Sequence, residues 1–440
     1  MGCITGLAAL HRTVDGSRLF FDVAESLNDA ISIVTRLPYF RIMLPATLDD
    51  LKVLDLSQGL AGPICAKILA DFGADVVKVE PPAGDAARSM APHFGNDSHP
   101  EKSLIFLLAN LNKRGVTLNL DDPAGRDLLR QMARNVDVIV ESFEPGYLAS
   151  LGLDYAALAQ ENPRLIMISI TPFGQTGPYS AYQSEEIVTY ALSGIMSISG
   201  MAGREPLKHG GMQSQYQGGL SGTVGVLAAL HVRDMLGEGQ HVDVSLQDVV
   251  TSTLVIHQPM YGWVGAVQGR RRPSGSSYGQ VQGCKDGYFI WQTGGGAEWS
   301  DITEFFGVEA LKQERFSSVA GRALHGEDLD RIVIEATKDR TMQELFKTAS
   351  EKYHMLFGIV QKPQDLARCP HLEARDFFQE VDHPVIGCIK VPFRLWSMPD
   401  APAVYRRPAP LLGQHNFEVY SEMLGLDTDR IVTLTAKGVI

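Results

Sequence analysis

The feature that most restricts what this chain can fold into is a repeated alternation of short β-branched runs with helical stretches, each cut off by glycine. Leu51-Lys52-Val53-Leu54-Asp55-Leu56 is a short apolar strand; Gly59, Gly62 and Pro63 follow, and then a helix over 64–72. Gly73 stops that helix, and Val76-Val77-Lys78-Val79-Glu80 begins the next strand. A stop glycine followed by a β-branched run is the punctuation expected between helix and strand. The pattern returns as a helix over 124–134, a strand over 136–141 and a strand over 165–170. Alternation of this kind predicts an α/β fold, with a mostly parallel, Rossmann-like sheet and helices on both faces. It does not predict a dinucleotide site, because the first turn reads Gly59-Leu60-Ala61-Gly62-Pro63-Ile64 and not GxGxxG.

Further along, helices are expected over 186–198 and 218–235, joined by a polar connector that holds Gln215. A strand over 241–246 and a helix after Asp248 complete this block. From 270 to 283 the composition shifts to Arg, Ser, Gly and Gln, the signature of a long exposed loop. Gly287-Tyr288-Phe289-Ile290-Trp291 then opens a more α+β-like region with helices over 329–336 and 342–351, and the tail carries a helix over 417–424. A chain of 440 residues exceeds one ordinary domain of about 100–200 residues. The expected organisation is an N-terminal extension over 1–45, a large Rossmann-like domain over 46–269, a smaller α+β domain over 270–390, and a segment over 391–440 that returns to the large domain.

Composition excludes several classes of function. The formal net charge of −12 argues against nucleic-acid binding, which needs an excess of Lys and Arg to meet phosphates. Five scattered cysteines, none in a CxxC pair, give neither a zinc site nor a disulfide framework and suit a reducing compartment. No apolar run approaches the roughly 18–20 residues of a membrane span, and no secretory signal is evident. The expectation is a cytoplasmic protein with no membrane and no metal.

The order of motifs is recognisable. Val53-Leu54-Asp55-Leu56-Ser57 with Ala61-Gly62-Pro63, the run from Leu69 through Pro82, Gly84-Asp85 with Arg88, and Asn112-Lys113-Arg114 open the series. Leu151-Gly152-Leu153, Phe173-Gly174, Ser193-Gly194, Gly225-Val226-Leu227-Ala228-Ala229-Leu230 and Ala409-Pro410-Leu411-Leu412-Gly413 continue it. Over about residues 50–440 this series resembles the class III CoA-transferases of the CaiB/BaiF type. The resemblance implies a Rossmann-like large domain, a small domain and an interlocked homodimer. It also implies an activity, the movement of CoA from a thioester to a carboxylic acid, with CoA thioester as substrate and no separate cofactor. A sister branch racemises 2-methylacyl-CoA thioesters.

Such a transferase needs an ionised carboxylate that attacks the thioester and holds the acyl group as a mixed anhydride. In the family this is an Asp just before the helix that ends in the Gly225–Leu230 run, and counting back from Gly225 puts it at Gln215. The racemase branch has a His-Asp pair ahead of Ser193-Gly194, at Glu185 and Glu186 here, with its catalytic Asp about thirty residues beyond the His, again at Gln215. A glutamine amide has the shape of a carboxyl group but no nucleophilic charge; it can still hydrogen-bond a thioester carbonyl. Three readings follow: a transferase in which Glu185 or Glu186 supplies the carboxylate and Gln215 orients the acyl group; a catalytically silent acyl-CoA-binding homologue or partner subunit; and a racemase or isomerase with altered acid–base groups. The two glutamates also suit a plain role at a helix start, where acids favour the dipole.

For CoA itself, the resemblance singles out Arg88, Lys113 and Arg114 as basic groups, and Leu118 to Asp121 with Ser142 and Phe143 as lining. Lys113 and Arg114 equally suit a solvated turn. The family often carries Arg just before its Leu-Gly-Leu motif, where this chain has Ser150. His209, His241 and His415 are expected to be structural or surface groups, and the Gly294-Gly295-Gly296 triplet and the loop at 274–279 either a cover for the acyl site or ordinary loops.

Overall fold

The computed structural model describes residues 47–270, 281–293 and 296–440. Six strands form one sheet: β1 (Lys52–Asp55), β2 (Asp75–Glu80), β3 (Arg114–Thr117), β4 (Val138–Glu141), β5 (Ile166–Thr171) and β6 (His241–Ser245). Their order is β3-β2-β1-β4-β5-β6 and every pairing is parallel. Parallel strands need crossovers that place helices on the faces, so both sides of the sheet are covered and its strands are near-continuously apolar. On one face Val53, Val76, Val138 and Ile168 pack against α1 (Ala61–Asp71) and the long helix Gln213–Leu236. On the other, Leu54, Val77, Val116, Ile139 and Met167 pack against α2 (Pro123–Ala133) and two C-terminal helices, Asn416–Leu424 and Thr428–Ala436.

Two expectations about the region before the long helix are corrected here. The helix expected over 186–198 stops at Leu192: α3 is Glu186–Leu192, Gly194 follows at φ +84°, and a separate 3₁₀ turn covers Ile195–Ile198. Gln215 lies on no connector; it falls in the first turn of α4 (Gln213–Leu236), which starts five residues earlier than the pattern indicated. Packing on α1 overrides the poor helix propensity of Gly218 and Gly219.

The α1–α4 contact explains the glycines that open α4. A Cβ on Gly219 would lie 2.7 Å from the Ala61 carbonyl oxygen, and one on Gly222 2.7 Å from Ile170 Cδ1. α4 therefore lies as close as it does to the α1 backbone at Gly219, and to β5 at Gly222, only because these positions lack side chains, at some cost in helix propensity.

Smaller antiparallel sheets follow. β7 (Gln282–Gly283), β8 (Tyr288–Gln292) and β9 (Leu356–Ile359) pair antiparallel over a separate core that includes Phe289, Trp291, Ile302, Val333 and Leu345. The hairpin of β10 (Phe378–His383) and β11 (Gly387–Pro392) packs Val381 and Val391, with Phe393, on Ile64 and Ile68 of α1. No helix among the described residues is long and apolar enough to cross a membrane.

Candidate active site

The strand order reverses between β1 and β4, and in open α/β sheets ligands bind in the crevice beyond the strand ends at such a switch point. A cavity of about 90 Å³ occupies this place. Leu118 and Asn119 wall it after β3, Gln58 after β1, and Phe143 and Tyr147 after β4. The Phe143 and Tyr147 rings lie 4.9 Å apart, and Ser142 Oγ behind them accepts from the Gln58 amide at 2.9 Å. Leu118 and Phe143, far apart in sequence, thus line one wall.

Three amides of the turn between β1 and α1 are held by side chains. Ser57 N–H donates to Asp55 Oδ1 at 3.1 Å, Gln58 N–H to Ser142, and Gly59 N–H to Asp85 Oδ1 at 3.0 Å. Lys78 donates to the Ser57 carbonyl and pairs with Asp85 at 2.8 Å. In dinucleotide folds amides of this turn and of the helix start cradle a pyrophosphate; here protein groups take those of Ser57, Gln58 and Gly59.

The three basic side chains singled out by the sequence lie inside ion pairs. Lys113 is fully buried, and its ammonium donates to Asp55 Oδ2 at 2.7 Å and to Pro63 O and Asn110 Oδ1 at 2.8 Å each. Burial pushes its pKa down to about 8, against the pull of Asp55. Asp55 itself is pushed up by burial, but Lys113, Lys78 and the Ser57 hydroxyl outweigh this and hold it below the usual carboxylate range. Arg88 grips Glu80 through two nitrogens at 2.7 and 2.8 Å and Glu101 at 2.6 Å, with its guanidinium 3.7 Å over Phe106. Arg114 spans Asp75, Glu418 and Glu422, tying β3 to the C-terminal helix. Neither Lys113 nor Arg114 is the solvated turn that the sequence also allowed.

Two arginines of α2 that the sequence analysis did not single out follow the crevice-lining segment, and the first reaches it. Arg126 Nη1 donates to the carbonyls of Leu120 and Asp121, both at 3.1 Å, and Arg130, one turn on, donates to Gly152 O at 3.2 Å. Tyr147 is raised by burial and then by Asp121, which Arg126 offsets. Their signal was an i, i+4 pair of arginines on the helix after β3. Ser150, where the family often has Arg, is exposed and bonds only locally, to the Tyr147 carbonyl at 2.7 Å.

The second half of the site is the start of α4. Glu186, the first residue of α3, is only 8% exposed. Its carboxylate accepts from Ser214 N–H at 3.0 Å and, by a very short bond, from the Ser214 hydroxyl. The first amides of a helix have no internal partner, and the positive end of the dipole favours an anion there. Glu186 therefore caps the neighbouring helix α4, the one that carries Gln215 one residue further on. Glu185 takes the N-cap position of α3 with an exposed side chain that makes no capping bond. Gln215 is half-buried.

Beside Glu186, the fully buried Tyr190 has its hydroxyl 3.5 Å from His209 Nδ1, and His209 Nε2 lies 3.2 Å from Ser199 Oγ. His241 bonds Ser169 at 2.7 Å and stacks on Tyr155; His415 accepts from Gly115 N–H at 2.9 Å. Gly294, Gly295 and the loop at 274–279 lie outside the described residues.

Known proteins resemble this chain along most of its length. The pattern described as CoA-transferase family III matches residues 48–416. The chain is 31% identical over 401 residues to the succinyl-CoA–D-citramalate CoA-transferase of Chloroflexus aurantiacus, covering 90% of this chain and 98% of that one. It is 32% identical over 386 residues to the succinate–glutarate CoA-transferase of Agrobacterium fabrum, covering 86% and 95%. Its fold matches the crystal structure of a CAIB/BAIF family protein from Brucella suis with a TM-score of 0.78 at 30% identity, covering 86% of this chain and all of that one. With the six-stranded parallel sheet, the small antiparallel sheets and nearly the whole length in agreement, the chain belongs to CoA-transferase family III.

Proposed function

We propose that this protein transfers coenzyme A from an acyl thioester to a carboxylic acid, with Glu186 as the attacking carboxylate and Gln215 as the amide that holds the acyl oxygen. The observation that carries this reading is a buried carboxylate fixed at the start of a 24-residue helix, bonded to the residue next to the position where the family's Asp is expected. In the first step a Glu186 oxygen bonds to the thioester carbonyl carbon, the C–S bond breaks, and CoA leaves as thiolate. The thiolate then attacks the Glu186 carbonyl and releases the donor acid as a carboxylate. The acceptor carboxylate displaces CoA from Glu186, and the thiolate attacks the acceptor's acyl carbon, which restores Glu186. Each step develops negative charge, which the helix start and a Gln215 N–H would stabilise. Arg126, bonded to the carbonyls of the crevice-lining Leu120 and Asp121, with Arg130 one turn on, supports a contact to the CoA phosphates, and the Phe143 and Tyr147 rings offer a wall for a planar base. The relatives' named substrates are short dicarboxylic acids and their thioesters, which makes succinyl-CoA the natural first donor to assay.

One observation favours the silent acyl-CoA-binding reading: both Glu186 oxygens are already held by Ser214. Racemisation has less support, because the Gln215 amide cannot carry a proton as the expected Asp would. Incubation with succinyl-CoA, hydroxylamine trapping and peptide mapping separates these readings. The expected result is a modified Glu186, absent from the Glu186→Gln variant. CoA that binds, and is lost from Arg126→Ala/Arg130→Ala, without any adduct on Glu186 or Glu185 would reject the transferase and leave the binding homologue.

The family resemblance also implies a pair of chains, and we infer a homodimer. Large apolar side chains stand exposed on α4, Val224, Met235 (71%) and Leu236 (72%), and on α5 (His257–Val264), Trp263 (85%). Exposed apolar surface of this kind supports an interface. Light scattering should give twice the 48.1 kDa chain mass, and Trp263→Glu should lower it. A wild-type mass of one chain would reject the dimer.

A further inference from the structure

Glu141, the last residue of β4, is only 4% exposed, and unlike the buried Asp55, Asp71, Glu80 and Asp85 it enters no ion pair among the described residues. A buried carboxylate is costly unless hydrogen bonds replace its water. Two do so here: Phe143 N–H donates to Glu141 Oε2 at 2.7 Å, and the Ser169 hydroxyl bonds the same side chain. The sheet register explains the second bond, because Glu141 lies opposite Ser169 on β5, and Ser169 opposite Asp243 on β6. His241, two residues before Asp243 and so on the same face of the edge strand, has its Nε2 2.7 Å from Ser169 Oγ. A carboxylate only accepts and a hydroxyl has one proton, so Ser169 donates to Glu141 and accepts from His241 Nε2–H. Burial raises the Glu141 pKa, and Ser169 and Phe143 N–H pull it back against a further push from Asp243.

This chain of bonds ends on Phe143, whose ring walls the crevice, and the wall is hollow behind. Phe143 and Tyr147 line the crevice, while Glu144, Gly146, Leu148 and Ala149 of the same segment line a second cavity of about 290 Å³, together with Glu141, Ser169 and His241. A segment with empty space behind it has no partner atoms there to hold it. Hydrogen bonds do so instead, from Glu141 at Phe143, Gln58 at Ser142 and Gln183 at Glu144, and of these the Glu141 bond is made to Phe143 itself. We propose that Glu141, backed by Ser169 and His241, is a positioning residue that fixes the backbone at Phe143, so that the ring stands against the base of coenzyme A and does not fall back into the hollow. The inference rests on the reading of the crevice as the coenzyme A site and is independent of the acyl chemistry at Glu186.

Calorimetric titration with coenzyme A tests this in wild type, Phe143→Ala, Glu141→Ala and the double variant. Loss of a base stacked on an aromatic ring predicts a fall of about tenfold in affinity for Phe143→Ala. Glu141→Ala should lose a comparable factor, and the double variant no more than the larger of the two, since both changes remove one contact. Glu141→Gln, whose amide oxygen still accepts from Phe143 N–H, should restore most of the affinity. In turnover of succinyl-CoA the Glu141→Ala loss should appear in KM far more than in kcat, the pattern of a lost binding contact; the calorimetry decides the matter even where no thioester turns over. A circular-dichroism melt shows which variants fold. If Glu141→Ala does not, His241→Phe at the exposed end of the chain takes its place, with a smaller loss that likewise vanishes in the Phe143→Ala background. Losses that multiply in the double variant, or full affinity in a folded Glu141→Ala, would overturn the positioning role while the crevice reading stands on Phe143→Ala. Undiminished affinity in Phe143→Ala would remove coenzyme A from the crevice, and this proposal with it.

Discussion

Glu186→Ala is expected to abolish CoA transfer, lowering kcat by at least about a hundredfold, the scale seen when a group acting on the developing charge is removed. It should also destabilise the fold by about 1–2 kcal/mol, the usual loss of a helix cap, because Ser214 N–H at the start of α4 is left without its acceptor. The two effects can be separated. Glu186→Gln keeps an acceptor of the same shape and should retain most of the stability, but an amide cannot form the anhydride. A carboxylate restored at the family's expected position should then revive turnover in the double variant Glu186→Gln/Gln215→Asp. Steady-state transfer and a urea midpoint for the same four proteins read both quantities. Full activity in Glu186→Gln would reject Glu186 as nucleophile and leave it as a cap alone.

The second large effect concerns stability. Asp55→Ala is expected to cost about 3–5 kcal/mol, the cost of stranding one partner of a buried ion pair. Lys113 and Lys78 both lean on Asp55 in a region without solvent, and the turn at Ser57 is bonded to the same carboxylate. The double change Asp55→Ala/Lys113→Met should recover part of this loss, since no ammonium then remains unpaired at that end. The pH dependence has a definite sign. Asp55 is held below its unfolded value, so its contribution is present above about pH 3.8 and disappears as pH falls through the folded value. Lys113 behaves oppositely to a stabilised lysine. Its folded value of about 8 lies below the unfolded 10.5, so over that window the unfolded chain holds the extra proton and this residue's share of stability rises with pH. Denaturant midpoints from pH 7 to 10 should show that rise in the wild type and not in Lys113→Met. A flat difference between the two proteins would refute it.

How much of this could be read from the chain alone depends on what each residue touches. β1, β2, β4, β5 and α1 announce themselves because β-branched runs and stop glycines act locally. β3 does not: Arg114-Gly115-Val116-Thr117 opens on a charge and a glycine, and its place is fixed by β2 and by His415, three hundred residues away. The β10–β11 hairpin is similarly set by α1, which no local pattern of 378–392 reveals. Around the site, counting from the glycine-rich run led to Gln215, but its helical setting is invisible because Gly218 and Gly219 look like a helix boundary until α1 is beside them. The basic residues show the same limit. Arg88, Lys113 and Arg114 look like anion ligands in sequence, yet the carboxylates opposite them, Glu80, Asp55 and Asp75, come from other strands and loops. Arg126 looks like an ordinary helix-surface charge until Leu120 and Asp121 bring the crevice to it.

The bonded amides of the turn between β1 and α1 bear on how a substrate arrives. Because Ser57, Gln58 and Gly59 each give their amide to a side chain, two of them to side chains from other segments, that edge of the sheet is already ordered before anything binds. A thioester docking against it freezes little backbone there, so the entropy lost at this edge is largely settled during folding. The edge is a rail laid down with the fold, so a substrate meets there a surface that has no further shape to find.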